Sequence, residues 1–256
     1  MINKKYLKLL RSQSRFDANN FIYELTSKRI IDSLDLLKIK FDKILEVGIN
    51  ENHIYNYIKK KFNNININRV DIDPFKYSES KILEIDLDNL VFEKDHYSLV
   101  YSNFFIYLAN DFEKSLTSIL RSLKSNGFFI ATIPHKESMY QLSNSMYEAD
   151  LHLYKGVYKR ANSVVDINEI LPIFKKLNYD SPTVFTDTIL IDYKKFEKLL
   201  SDVKKMNLSY IHNDKKKSLE SKNYFEVLKK IYKEKYYNNH SYALEIKVNT
   251  ISGWKK

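Results

Sequence analysis

Lys43-Ile44-Leu45-Glu46-Val47-Gly48, then a helical pattern, then Asn66-Ile67-Asn68-Arg69-Val70-Asp71-Ile72-Asp73-Pro74: this stretch decides the fold. A short apolar run ends in an acid and a glycine. A second run ends in an acid about 25 residues later, the spacing of a strand–helix–strand nucleotide-binding unit. Gly48 lets the backbone turn sharply and come close to a ligand. Asp71 directly follows the second apolar run, where a carboxylate accepts hydrogen bonds from two ribose hydroxyls. Asp73, before Pro74, reads as a turn residue. The positions two and four after Gly48 hold Asn50 and Asn52, and asparagine tolerates left-handed backbone better than most residues.

Outward from this unit, helical and strand patterns alternate, which predicts an α/β fold with a mostly parallel sheet. Residues 1–16 read as a basic arm carrying Tyr6, Leu9, Leu10 and Phe16, and Asp17 to Leu37 as an amphipathic helix. Lys43–Val47, Ile65–Val70, Lys81–Ile85, Tyr97–Tyr101 and Phe128–Ile133 read as five strands. Between the first two strands, Asn52–Phe62 is a helix. Asp111–Leu123 is another, with Asp111 as its N-cap and Asn126-Gly127 as its stop. Residues 135–160 form a lid insertion with a helix over Glu137–Tyr147. Asp166 opens a helix to Leu177, Thr183–Ile191 is a strand, and residues 193–237 are a helical insertion with helices over Tyr193–Met206 and Lys222–Tyr236. Tyr242–Ile251 closes the sheet. The domain reading is an N-terminal helical arm over 1–40 and one α/β domain over 41–256.

Composition narrows the function. The chain has no cysteine, so disulfides and thiol nucleophiles are excluded, and a reducing cytoplasm is the fitting compartment. No run of about 18 apolar residues predicts a membrane span, and no signal peptide is evident. The net charge of +10 rests on lysine spread along the chain, with only six arginines, the residue that phosphate recognition favours. Nucleic acid is therefore not the expected partner. The six histidines are scattered with no HxxxH or HxD spacing, so no metal site is expected. His135 follows the fifth strand at the sheet's carboxyl edge, where α/β ligand sites lie; the other reading is an exposed loop histidine.

Four motifs in order carry a resemblance. Glu46-Val47-Gly48 ends the first strand, and Val70-Asp71-Ile72-Asp73-Pro74 ends the second. Glu84-Ile85-Asp86-Leu87, with Leu90-Val91-Phe92 beyond it, forms an acidic turn. Ser98 to Asn103 and Leu108 to Asp111 follow the fourth strand into its helix. The chain resembles class I S-adenosyl-L-methionine (SAM)-dependent methyltransferases, whose Rossmann-like sheet has seven strands with the last antiparallel. The resemblance implies SAM as cofactor, with Glu46, Gly48, Asn50, Asp71, Ile72, Asp86, Leu87, Ser102 and Asn103 around it. His135 and Tyr140 are candidate substrate contacts, and the catalytic residues are not identified.

Outside this core, Phe16-Asp17, Phe21 to Glu24, Leu34 to Phe41, Glu137 to Leu142, Val165 to Ile167 and Ile251 to Trp254 resemble one branch. That branch holds the respiratory complex I assembly factors that act as protein arginine hydroxylases, with their bacterial relatives. It is also similar to malonyl-acyl-carrier-protein methyltransferases. The implied partner is a subunit of the respiratory NADH dehydrogenase. An acyl-carrier or small-molecule carboxyl acceptor, faced by Lys159 and Arg160, is the alternative. A non-catalytic assembly module with a degenerate cofactor site is the third reading.

Overall fold

The computed structural model describes residues 1–14, 21–62, 65–73, 82–162, 164–206 and 208–256. The expected Phe16-Asp17 motif, the start of the helix at Asp17, and Pro74 lie outside these residues.

Residues 1–16 are more than a basic arm. Lys4–Ser14 form a helix, α1, whose Asn3 side chain accepts from the Tyr6 amide at 2.9 Å and so caps its first turn. Leu7, Leu10 and Arg11 share its buried face, and Leu9 is exposed. Helix α2 (Phe21–Asp35) follows and buries Ile22, Ile30 and Leu34. The sheet begins with β1 (Lys43–Val47), helix α3 (His53–Lys61), β2 (Asn66–Asp71) and the short β3 (Ile82–Glu84). A 3-10 turn at Leu87–Asn89 leads to β4 (Tyr97–Asn103) and α4 (Phe112–Arg121). The second half comprises β5 (Leu123–Pro134), α5 (Tyr140–Tyr154), α6 (Ile167–Lys176), β6 (Tyr179–Tyr193), α7 (Phe196–Lys205), α8 (Lys222–Tyr236), β7 (Tyr237–Asn238) and β8 (Ser241–Lys255).

The sheet order is β3-β2-β1-β4-β5-β8-β6, and the two-residue β7 pairs with β8 beside this path. The first five strands are parallel, and β8 runs antiparallel to β5 and β6. This is the α/β, Rossmann-like sheet expected from the sequence, with its closing strand reversed.

Alternation along the strands splits the core into two layers. Leu45, Val47, Val100 and Phe129 face one side, where α4 adds Leu116, Ile119 and Leu120. Ile44, Leu99, Phe128 and Ile130 face the other, where α2 adds Ile30 and Leu34 and α3 adds Ile54 and Ile58. With both faces covered, β1 and β4 are buried almost end to end. The closing strand runs on past Ile251, and Trp254 within it packs its ring on Phe128 of β5, 4.5 Å between ring centres.

Two local expectations change. Helix α4 ends at Arg121, and Asn126-Gly127 lie inside β5, not at a helix stop. Asn126 has φ 62° there, and the β4–β5 register shifts between Tyr97 and Leu99. A Cβ on Gly127 would stand 2.7 Å from the Lys124 carbonyl, so the pair serves a strand irregularity. In the 135–160 segment the helix runs Tyr140–Tyr154 instead of Glu137–Tyr147. It is held by Arg160, which donates to the fully buried Asp150 and to Glu220.

Candidate functional site at the carboxyl edge of the sheet

The parallel strands all end on one edge, where open α/β sheets hold ligands. Gly48 leaves β1 at φ +83° and donates its amide to the Val70 carbonyl at 2.9 Å, which ties the two strand ends together. No residue from 49 to 53 has a positive φ, so the asparagines do not substitute for glycine conformationally. Asn50 has another task. It is buried, its amide donates to the Asn103 carbonyl, and its Oδ1 accepts from Arg11 at 2.9 Å.

Asp71 is fully buried at the end of β2. Its Oδ2 accepts from the Ile49 amide at 2.7 Å and from Arg11 Nη2 at 2.8 Å, and its Oδ1 accepts from the Asp73 amide at 3.0 Å. Next along the edge, Asp86 caps the 3-10 turn by accepting from the Asp88 amide, and Leu87 is buried behind it. Ser102 and Asn103 end β4. Ser102 donates to the Val47 carbonyl at 2.7 Å, and Asn103 donates to Ser27 of α2 at 2.9 Å while accepting from Thr132 of β5 at 2.7 Å. Gly48, Asn50, Asp71, Ile72, Asp86, Leu87, Ser102 and Asn103 thus gather on one edge.

Glu46 is placed differently. It stands on the opposite face of β1, 2% exposed, and takes Arg69, its neighbour on β2, as ion partner. Arg69 also donates to Asn52 and lies over the Tyr55 ring at 4.2 Å. Burial pushes the Glu46 carboxyl up to about 7, against the downward pull of Arg69. Asn52 therefore belongs to this pair and not to the edge. His135 and Tyr140 do not line the cavity that Ile72, Asp86 and Leu87 line. His135 Nδ1 faces the Glu137 amide at 3.1 Å, and Tyr140 packs edge-on against Tyr236 of α8.

Sequence reasoning passed over two residues that dominate the edge, Arg11 and Phe105. Arg11 is 1% exposed, and besides Asp71 and Asn50 it donates to the Ile49 carbonyl at 3.1 Å. Its guanidinium lies 4.4 Å from the centre of the Phe105 ring. Phe105 covers Gly48 so closely that a Cβ there would stand 2.0 Å from its Cγ. The available signal was an arginine on the apolar stripe Leu7, Leu10, Arg11 of a helix otherwise rich in lysine.

The residue types suit an adenosine cofactor: an acid at the end of β2, an acidic turn after β3 and a glycine after β1. The room does not. Arg11 and Phe105 fill the space over Gly48 and Asp71, and a cavity of about 330 Å³ remains farther along, between α1 and the acidic turn. Ile72, Leu87 and Leu108 form its apolar floor, with Lys4 and Asp86 at its rim. Among the described residues, Arg11 takes Oδ2 of Asp71 and Phe105 covers Gly48, so the arm and this ring stand where the ribose and methionine parts of SAM would lie.

Residues 45–131 match a family model described as a methyltransferase domain. The chain is 26% identical over 263 residues to the arginine-hydroxylase NDUFAF5, mitochondrial, of Dictyostelium discoideum, across 92% of this chain and 60% of that protein. It thus spans less than two thirds of that relative. It is 18% identical to a malonyl-[acyl-carrier protein] O-methyltransferase 1 of Coxiella burnetii, across 84% and 74% of the two chains. Among solved structures, the YcgJ protein of Bacillus superposes with a TM-score of 0.59 at 12% identity, over 91% of this chain and 99% of that one. A phosphoethanolamine N-methyltransferase 2 of Haemonchus contortus in complex with S-adenosyl-L-methionine superposes at 0.52 and 17%, over 94% and 57%. These structural likenesses bear on the fold alone.

Proposed function

We propose that this chain, which has the class I SAM-dependent methyltransferase fold, binds SAM at the carboxyl-edge site, and that it modifies a subunit of the respiratory NADH dehydrogenase or assists its assembly. The observation that carries the cofactor half is the convergence of Gly48, Asp71, Asp86 and Leu87 on one sheet edge. Asp71 supplies the ribose acceptor, and Leu87, Ile72 and Leu108 supply an apolar slot of the kind a purine ring enters. The partner half rests on the similarity to the arginine-hydroxylase NDUFAF5 along nearly the whole of this chain.

The carboxyl methyltransferase alternative loses its basic mouth. Arg160 is held by Asp150 and Glu220 inside the insertion, and Lys159 faces Asp214 at 3.7 Å. A specific observation does favour the third reading, an assembly module without catalysis: Arg11 and Phe105 fill the space where a cofactor would lie.

Calorimetric titration of SAM into the full chain, with Asp71→Ala as control, separates the two. Micromolar binding lost in the variant supports the cofactor site. No heat at millimolar SAM from the folded full chain or from a folded Arg11→Met variant overturns it and leaves the assembly module. Mass analysis of NADH dehydrogenase subunits from cells lacking the protein then reads the partner half, as a methyl or an oxygen missing from one subunit.

A further inference from the structure

The contacts of α1 fall on the same acceptors that the site offers a cofactor. Arg11 donates to Asp71 and Asn50. Lys4 donates to both oxygens of Asp86, at 2.6 and 2.7 Å, and stands 3.2 Å from Asp88. Lys8 pairs with Glu84 at the end of β3. Leu7 and Ile2 line the 330 Å³ cavity from the arm side. One helix thus presents three cations to the ends of β2 and β3 and to the acidic turn after β3, at spacings of four and three residues along a single face.

The docking is also tied into a second segment. The Asn3 amide donates to the Ile211 carbonyl at 2.8 Å, and the Asn213 amide donates to the Met1 carbonyl at 2.9 Å. Lys215 reaches the Tyr6 hydroxyl at 3.0 Å. The loop after α7 moves with the arm or lets it go. Beneath, Phe105 packs under the Arg11 guanidinium, so the ring that covers Gly48 is itself held down by the arm.

We propose that α1 is a built-in competitor of the cofactor: Arg11 on Asp71 and Lys4 on Asp86 hold the site closed, and the site accepts SAM only as the arm withdraws. The proposal rests on the reading of Asp71 and Asp86 as cofactor acceptors. It makes affinity for SAM depend on whatever draws the arm away, since a closed fraction lowers apparent affinity in proportion.

The test is titration of SAM into the full chain, Arg11→Met and the double variant Lys4→Met/Lys8→Met, with hydrogen exchange of the α1 amides. The lysines form half-exposed pairs, so the double variant folds even where Arg11→Met does not. The expected result is SAM affinity raised roughly tenfold in Arg11→Met and by about two- to fivefold in the double variant, with faster exchange over residues 7–11 of the wild type at saturating SAM. Equal or weaker affinity in the variants, or slower exchange in α1 when SAM binds, makes the arm part of the bound site and overturns the proposal alone. No binding by any of the three folded proteins overturns the cofactor reading as well.

Discussion

Glu46→Gln separates the two forces acting on the buried pair beneath the site. Glu46 and Arg69 are 2% and 3% exposed, and the glutamate carboxyl is raised to about 7 from 4.5 because burial outweighs Arg69. An acid with a raised folded-state value holds its proton more tightly in the native protein than in the unfolded chain. Its contribution to stability is present below 4.5 and is lost as pH rises through about 7. At about 1.36 kcal/mol per pH unit, that interval is worth about 3 kcal/mol. Glutamine keeps the shape, can still accept from Arg69, and does not titrate. Thermal unfolding of both proteins from pH 5 to 8.5 should show the variant gaining on the wild type as pH rises. The relative gain in Tm is roughly 6–12 °C for a chain of this size. A difference between variant and wild type that stays flat from pH 5 to 8.5 would mean that Arg69 outweighs burial and that the carboxylate is ionised in both states, which refutes the reasoning.

Gly48→Ala meets both a left-handed φ of +83° and the Phe105 ring, so a loss of roughly 3 kcal/mol or more is expected from urea unfolding. Adding Phe105→Ala should return part of it, a coupling that a purely conformational cost at Gly48 would not give. Leu116→Ala opens a hole at a fully buried point of α4 and should cost about 2–5 kcal/mol by the same assay. Arg160→Met leaves the fully buried Asp150 without its cation, with an expected loss of roughly 3–5 kcal/mol and a fall in protection of the α5 amides by hydrogen exchange. Asp111→Ala removes the cap of α4, where Oδ1 accepts from the Lys114 amide, and should cost about 1 kcal/mol.

The parallel core was legible because its signals are local. Two short apolar runs closed by Gly48 and Asp71 fix a strand–helix–strand unit, and Asp111 and Asp166 mark helix starts that the structure keeps. The misreadings came where one residue type serves two purposes. Asn126-Gly127 has the chemistry of a helix stop, yet the left-handed residue is used inside a strand, a choice set by the β4 neighbour and not by nearby sequence. Glu46 has a motif position, but alternation along β1 turns it away from the edge and toward Arg69, whose presence in a buried strand was the unread clue. Arg11 could be read as buried from its place on the apolar stripe, but its partner could not: Asp71 lies 60 residues away.

The proposed exchange of arm for cofactor sets terms against each other that are close to balanced on physical grounds. Withdrawing Arg11 would remove a charge-assisted donor from Asp71, but the Ile49 and Asp73 amides would still hold that carboxylate, and in the proposed complex two ribose hydroxyls would replace the guanidinium. Arg11 returns to water and recovers its hydration, so no unpaired buried cation is left behind. Lys4 and Lys8 give up half-exposed pairs, which contribute little. What the arm loses in addition is the apolar burial of Leu7 and Leu10, roughly 1.5–3 kcal/mol for each side chain, offset by the backbone freedom that α1 regains. A closed state favoured by a few kcal/mol is one that a ligand of ordinary affinity can open. Were the arm held mainly by apolar contact, substituting Arg11 would leave SAM affinity unchanged. Because the acceptors of Asp71 are the contested groups, the arginine is where the competition should be felt.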